Sequence, residues 1–349
     1  MRIEGGLYRA APGSAAALPR VRTPLATGAG ASHRAGGAWS GHVAAHRREV
    51  GAGVTARAPV QWYGGKAAFL PHLLPLVPPH DMYLESHGGM ASLLLGKPPC
   101  EIETYNDLDS GLVNLFRVLR DPEQMLSLQD MLRLTPYSRE EYLACRAGWK
   151  AEADPVRKAW MWFVVARQGV SGQFGTSGWS YTLKSGGGSA ASYKYRSSIE
   201  WLPEVCARLE HVQIEHSPWQ RVVASHDRRG CFWYADPPYV LSTRVGGRRY
   251  RHEMEDAEHA ELIEVALAFS GMALISGYAS ALYDRLDRRG WRRVEVETTA
   301  HSAGSTAQTR LLGFGAKRAH RRVECLWMNY NIQEIRGQMP LFTGEVECG

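Results

Sequence analysis

The chain has 349 residues, 44% hydrophobic and 22% charged, with a formal charge of +6. That is an ordinary globular composition, long enough for one large α/β domain plus a smaller insertion, and mildly suited to a polyanionic partner. The widely spaced cysteines form no C-x-x-C pair, against a zinc ribbon, and the longest apolar run, 262–275, is broken by Glu264, against a membrane span.

Residues 1–57 are rich in Ala, Gly and Arg and carry no stable period, so a disordered extension is expected there. Order is expected from about residue 58. "DMYLES" (81–86) reads as a strand entering a glycine turn, and "ASLLLGK" after it as a short helix. "EIETYNDLD" (101–109) is a second strand ending in acids; "GLVNLFRVLRD" (111–121) has helical spacing. Strand, Gly turn, helix, strand, acid and helix form the βαβ pattern of an open α/β sheet.

Residues 122–220 interrupt that pattern and are expected to be a mainly helical insertion, with helices near 124–134, 138–149, 155–167 and 198–209. Its stretch 167–196 mixes Gly and Ser with cations and aromatics. From residue 231 the α/β pattern returns: strand "CFWYADPPY", helix 256–270, strand "MALISGY", helix "SALYDRLDRRG", then strands "WRRVEVETTA" and "VECLWMNY". The catalytic part is thus expected over 58–121 and 221–335, with a flexible tail at 336–349.

Four short motifs carry chemistry. In "QWYGGK", Gly64 and Gly65 would let backbone approach a ligand and Lys66 would supply a cation; a turn with a solvated lysine is the alternative. In "YLESHGGMAS", Gly88 and Gly89 open the first strand-to-helix turn, and Glu85 is placed to receive a cationic group. In "YNDLD", Asp107 stands 18 residues after Gly89, the spacing of a carboxylate that accepts both hydroxyl hydrogens of a ribose; a helix N-cap by Asp107 or Asp109 is the alternative.

The fourth motif is Asp236-Pro237-Pro238-Tyr239, at the end of an apolar strand. A turn explains the prolines alone. An exocyclic amino group on adenine explains the whole set. Its lone pair is delocalised, so it reacts only where fixed acceptors favour a tetrahedral nitrogen. The Asp236 carboxylate and the Pro237 carbonyl supply two, and Tyr239 offers a ring for the base.

In this order the motifs resemble those of the Dam-like family of DNA adenine-N6 methyltransferases, closest to prophage-type members of the α-ordered class. "LVNLFRVLRDP", "YRHEM", "LISGYAS" and "VECLWMNY" extend the likeness, which runs from about Val60 to Tyr330. The resemblance implies a Rossmann-like class I sheet with an inserted target-recognition domain. It implies S-adenosylmethionine as cofactor, held by Trp62, Gly64, Gly65, Lys66, Glu85, Gly89 and Asp107 and reaching Asp236. Asp236, Pro237 and Tyr239 would grip a flipped adenine.

Arg167, Gln168, Lys184, Lys194 and Arg196 of the insertion, with Arg244, Arg248 and Arg249 around the following Gly-Gly turn, are the residues expected to touch DNA. The enzyme is expected in the cytoplasm, as a monomer on double-stranded DNA, with no metal, and a restriction endonuclease is a conceivable companion. The first loop departs from the family: Ser86, His87 and Ala91 replace its usual Pro, Phe and second Gly. Cytosine N4, RNA or a protein amide is the alternative substrate. A DNA-binding relative without catalysis is the other reading.

Overall fold

A computed structural model describes residues 55–60, 64–170, 174, 178–182, 190–244, 251–299 and 321–338. Helical turns from Ala67 to Leu76 lead into β1 (Met82–Glu85), α1 (Ser92–Gly96), β2 (Ile102–Asn106) and α2 (Ser110–Arg120). Then come α3 (Pro122–Leu134), α4 (Arg139–Gly148), α5 (Pro155–Gln168), α6 (Ala191–Glu200) and α7 (Leu202–Leu209). The sheet resumes with β3 (Val212–Glu215), α8 (Trp219–His226), β4 (Cys231–Ala235), α9 (Asp256–Ala268), β5 (Met272–Gly277) and α10 (Asp284–Arg288). Strands β6 (Arg292–Thr299) and β7 (Arg321–Met328) and helix α11 (Ile332–Gln338) complete it.

The strands form a seven-stranded sheet in the order β3-β2-β1-β4-β5-β7-β6. Strands β3 to β5 in that order run parallel, and β7 lies antiparallel to both β5 and β6. This is the Rossmann-like arrangement expected. The chain winds from β1 outward through β2 and β3, then returns to add β4 and β5 on the other side. The switch point lies between β1 and β4, and ligands bind there, beyond the carboxyl ends. All five residues of β4 are buried, as a central parallel strand requires.

Local sequence sets the helix starts. Asp109 caps α2 through Gly111 and Leu112 N–H; Asp121 caps α3, with Pro122 in the first turn. Ser138 and Asp154 cap α4 and α5, and Glu255 and Glu258 form a capping box on α9. Two apolar clusters cover the sheet. One joins Tyr83, Tyr105 and Phe116 to Trp162 and Tyr195 of the helical segment; the other joins Leu84 and Trp233 to Leu262 and Trp327. The helices after α2 therefore share a core with the sheet. Buried Glu103 of β2 fastens α7 to it, bonding Arg208 Nη1 at 2.5 Å and Lys97 Nζ at 2.5 Å.

Three boundaries differ from expectation. Strand β3 lies inside the stretch expected to be an insertion, because a four-residue edge strand with one buried position carries almost no periodic signal. Ala56, expected in the extension, is buried and donates its N–H to Leu95 O at 2.8 Å. Arg336, expected in the tail, lies in α11 and donates to Pro75 O at 2.9 Å. No helix among the described residues is long and apolar enough to cross a membrane.

Candidate active site

The register places Glu85, the last residue of β1, beside Tyr234 of β4. Asp236 follows two residues later, so the first loop and the Asp-Pro-Pro-Tyr turn leave the sheet side by side at the switch point. One cleft there is lined by Gly64, Gly65 and Lys66, by Glu85 to Gly89, by Asp107 and by Asp236 and Pro238. Residues from all four motifs meet in it.

Asp236 is held from two sides. Ser276 Oγ donates to its Oδ1 at 2.8 Å, and Lys66 Nζ lies 2.9 Å from the same oxygen. Lys66 Nζ also lies 3.8 Å from Glu324 Oε2 and 4.8 Å from the centre of the Tyr239 ring. Tyr239 donates its hydroxyl to Glu324 at 3.2 Å and meets Tyr278 edge-on, with ring centres 4.5 Å apart. Pro237 is buried in the turn. Ser276 and Glu324 lie in "LISGYAS" and "VECLWMNY", but nothing in the sequence around them marks either side chain as part of the site.

The other end of the cleft is built from β1 and β2. Asp107 Oδ2 accepts from Gly89 N at 2.8 Å and Oδ1 from Asp109 N at 2.7 Å. Burial raises its pKa, against these two amide bonds. Asp109 is the helix cap, so the two alternatives for the acidic pair divide between the two residues. Arg251 Nη1 lies 2.6 Å from Asp109 Oδ2, with its guanidinium over Trp149 at 4.6 Å and Phe174 at 5.3 Å. Ala91 takes the left-handed conformation, φ 52°, that a glycine would adopt without cost.

Glu85 is buried, and its Oε2 accepts from Tyr83 Oη at 2.9 Å and Leu94 N at 3.0 Å. Desolvation outweighs these bonds and pushes its pKa up to about 8. The folded protein thus holds a proton that the unfolded chain loses near its ordinary 4.5. Stability contributed by this group is largest below that value and falls as pH rises toward 8. Glu85→Gln should flatten that part of the profile, making the variant less pH-sensitive than wild type between pH 5 and 8 in thermal unfolding. An unchanged slope would rule out Glu85 as its source.

Several residues expected to touch DNA are otherwise engaged. Gln168 is fully buried; its Oε1 accepts from Ser138 N at 3.1 Å and its Nε2 donates to Pro136 O at 3.0 Å. Its side chain is spent inside the fold, at the end of α5. Arg244 forms a buried pair with Glu253. Arg167 donates to Lys194 O at 2.5 Å, and burial lowers its pKa. The Lys194 side chain is exposed on α6, as is Arg196, which donates to Arg133 O. Trp62, Lys184, Arg248 and Arg249 lie outside the described residues.

The family model for D12 class N6 adenine-specific DNA methyltransferases matches residues 62–282, well over half of the chain. The chain belongs to this family. Among relatives of the D12 enzyme is a Type II methyltransferase, M1.LlaDCHI, of Lactococcus lactis subsp. cremoris. It is 26% identical over 205 residues, covering 55% of this chain and 69% of the relative. A crystal structure of Thermoplasma acidophilum 1320 covers 75% of the chain and 86% of its own, at 11% identity and a TM-score of 0.29. The D12 match starts at Trp62 and ends after β5, so it spans all four motifs. Membership makes the chain an adenine-specific DNA methyltransferase, with DNA as substrate and a methyl donor as cosubstrate.

Proposed function

We propose that this D12 enzyme methylates N6 of an adenine flipped out of double-stranded DNA at a specific site, with S-adenosylmethionine as donor. The observation that carries this reading is the shared cleft, in which Asp236 opens onto the same space as Glu85, the Gly88-Gly89 turn and Asp107. The side chains suit that donor. Asp107 is placed for a ribose diol, and Glu85, whose carboxyl burial holds neutral, would give up its proton to face the donor's ammonium as an anion. When bound, S-adenosylmethionine supplies an electrophilic methyl group on a sulfonium.

The remaining steps belong to the chain. Asp236, oriented by the Ser276 hydroxyl, accepts one amino hydrogen of the adenine, and the Pro237 carbonyl accepts the other. Both stabilise the positive charge that develops on N6. Asp236 then passes the released proton to water. Lys66 lies between Asp236 and Glu324, so Glu324 keeps an anion beside this buried ammonium when the adenine amino group takes Asp236. Tyr239 packs the ring of the base. The helices α3 to α7 form the target-recognition unit, with the exposed Lys194 and Arg196 on phosphates.

The enzyme acts in the cytoplasm as a monomer on DNA. The Type II label of the Lactococcus relative favours a restriction endonuclease as companion over a solitary role. Labelled cofactor offered with duplex DNA, RNA and protein acceptors tests the reading. Label in duplex DNA, released as N6-methyladenine, is expected. Transfer only to RNA, protein or cytosine would contradict it.

A further inference from the structure

The segment from Arg251 to Met254 has an anchor on each face of the sheet. Met254 is buried in the apolar cluster of Trp219 and Trp233, and Glu253 pairs with Arg244. Three residues before Met254, Arg251 reaches the opposite cluster. Its guanidinium lies 4.6 Å from the centre of the Trp149 ring and 5.3 Å from that of Phe174. Its Nη1 meets Asp109 Oδ2 at 2.6 Å. Asp109 follows β2 and the segment follows β4, with β1 between those strands in the sheet. The segment therefore crosses the carboxyl edge where the first loop leaves it, and all four of its residues line the cleft.

The two anchors differ in exposure. The Arg244 and Glu253 side chains are 5% and 6% exposed, so that pair is shut away from water. The Arg251 side chain is 30% exposed, and an ion pair open to water is weakened by solvent and salt. Its partners, by contrast, are fixed. Phe174 stacks on Trp162 with ring centres 4.8 Å apart and meets Trp149 edge-on at 5.6 Å. Asp109 spends Oδ1 on the cap of α2 and turns Oδ2 to Arg251. A partly exposed cation against a fixed anion and two fixed rings can release and re-form without disturbing the core. Asp109 also donates its N–H to Asp107 Oδ1, so this contact bears on the residue placed for the donor's ribose.

We propose that Arg251 is a positioning residue of the donor site. It clasps the 251–254 segment across the cleft, so the donor passes when the clasp is open and is held facing Asp236 when it is closed. Arg251 acts through the segment it fixes and through Asp109, not on the reacting atoms. The inference rests on the proposed use of S-adenosylmethionine.

Association and dissociation rates of S-adenosylhomocysteine on the full chain, measured by surface plasmon resonance, test this. Arg251→Ala should raise both rates, each about five- to tenfold, the loss of one charge-assisted hydrogen bond discounted for water. A merely structural residue would raise dissociation alone. Arg251→Lys keeps the charge but not the flat fork that lies on the rings, and should fall between the two. Asp109→Asn, which keeps the cap oxygen, should give the same rise, with no further rise when combined with Arg251→Ala. Added salt should speed both rates in wild type and leave Arg251→Ala unmoved. An unchanged or slower association rate in Arg251→Ala would overturn the proposal, as would additive effects in the double variant. Wild type that binds no S-adenosylhomocysteine would sink the donor reading, and the proposal with it.

Discussion

Replacing Asp236 by asparagine should lower methyl transfer at least about a hundredfold while leaving S-adenosylhomocysteine binding nearly unchanged. The size follows from removing one preorganised electrostatic group from a closed site, which commonly costs two to three orders of magnitude. Asparagine keeps the shape and can still accept from Ser276, so the turn should persist. What it loses is the negative charge that stabilises the developing cation on N6. The fold should tolerate the change, because Lys66 retains Glu324 as a neighbouring anion. Single-turnover transfer beside ligand titration separates the two effects. Transfer at the wild-type rate would remove Asp236 from the mechanism, and equal loss of binding and rate would make it a structural residue.

The second large effect is expected at Gly88. A Cβ there would fall 2.2 Å from Tyr105 Cε2 and 2.5 Å from Cδ2. The ring has no room to retreat: it is fully buried, packs on Phe116 with centres 4.6 Å apart, and donates its hydroxyl to Gly89 O at 2.8 Å. Gly88→Ala should therefore push out the loop that carries Gly89 and its bond to Asp107. A loss of about 1–3 kcal/mol, as for other overpacked sites, is expected in denaturant unfolding, together with weaker S-adenosylhomocysteine binding. Gly178→Ala, where an added Cβ meets nothing within 4 Å, is the control and should change neither. Wild-type stability and binding in Gly88→Ala would show that the close approach to Tyr105 does not shape the loop.

Much of this architecture is legible in the sequence because strong local signals coincide. Cys231 to Ala235 read as a continuous apolar run since the strand is buried on both faces. Glycines, acids and prolines mark the turns after β1, β2 and β4, and these turns are where the cleft forms. The less legible parts depend on contacts between distant residues. Nothing near Gln168 or Arg244 in sequence says that each is spent on a partner inside the fold. Lys66 was expected at the cofactor, and the ion pair that sets it on Asp236 joins residues 170 positions apart. The helix expected at 198–209 is the end of α6 and all of α7, separated at Trp201; α6 begins at Ala191, earlier than the periodicity suggests, because Tyr193 and Lys194 of its first turn are exposed.

The central claim is site-specific methylation of adenine N6 in DNA. It is tested most directly by expressing the chain in a host without DNA methylation and mapping modified bases across its genome by long-read polymerase kinetics. The account predicts N6-methyladenine within one recurring sequence, absent when Asp236→Asn is expressed at the same level. Unmodified adenines throughout the genome, despite folded protein that binds S-adenosylhomocysteine, would contradict it.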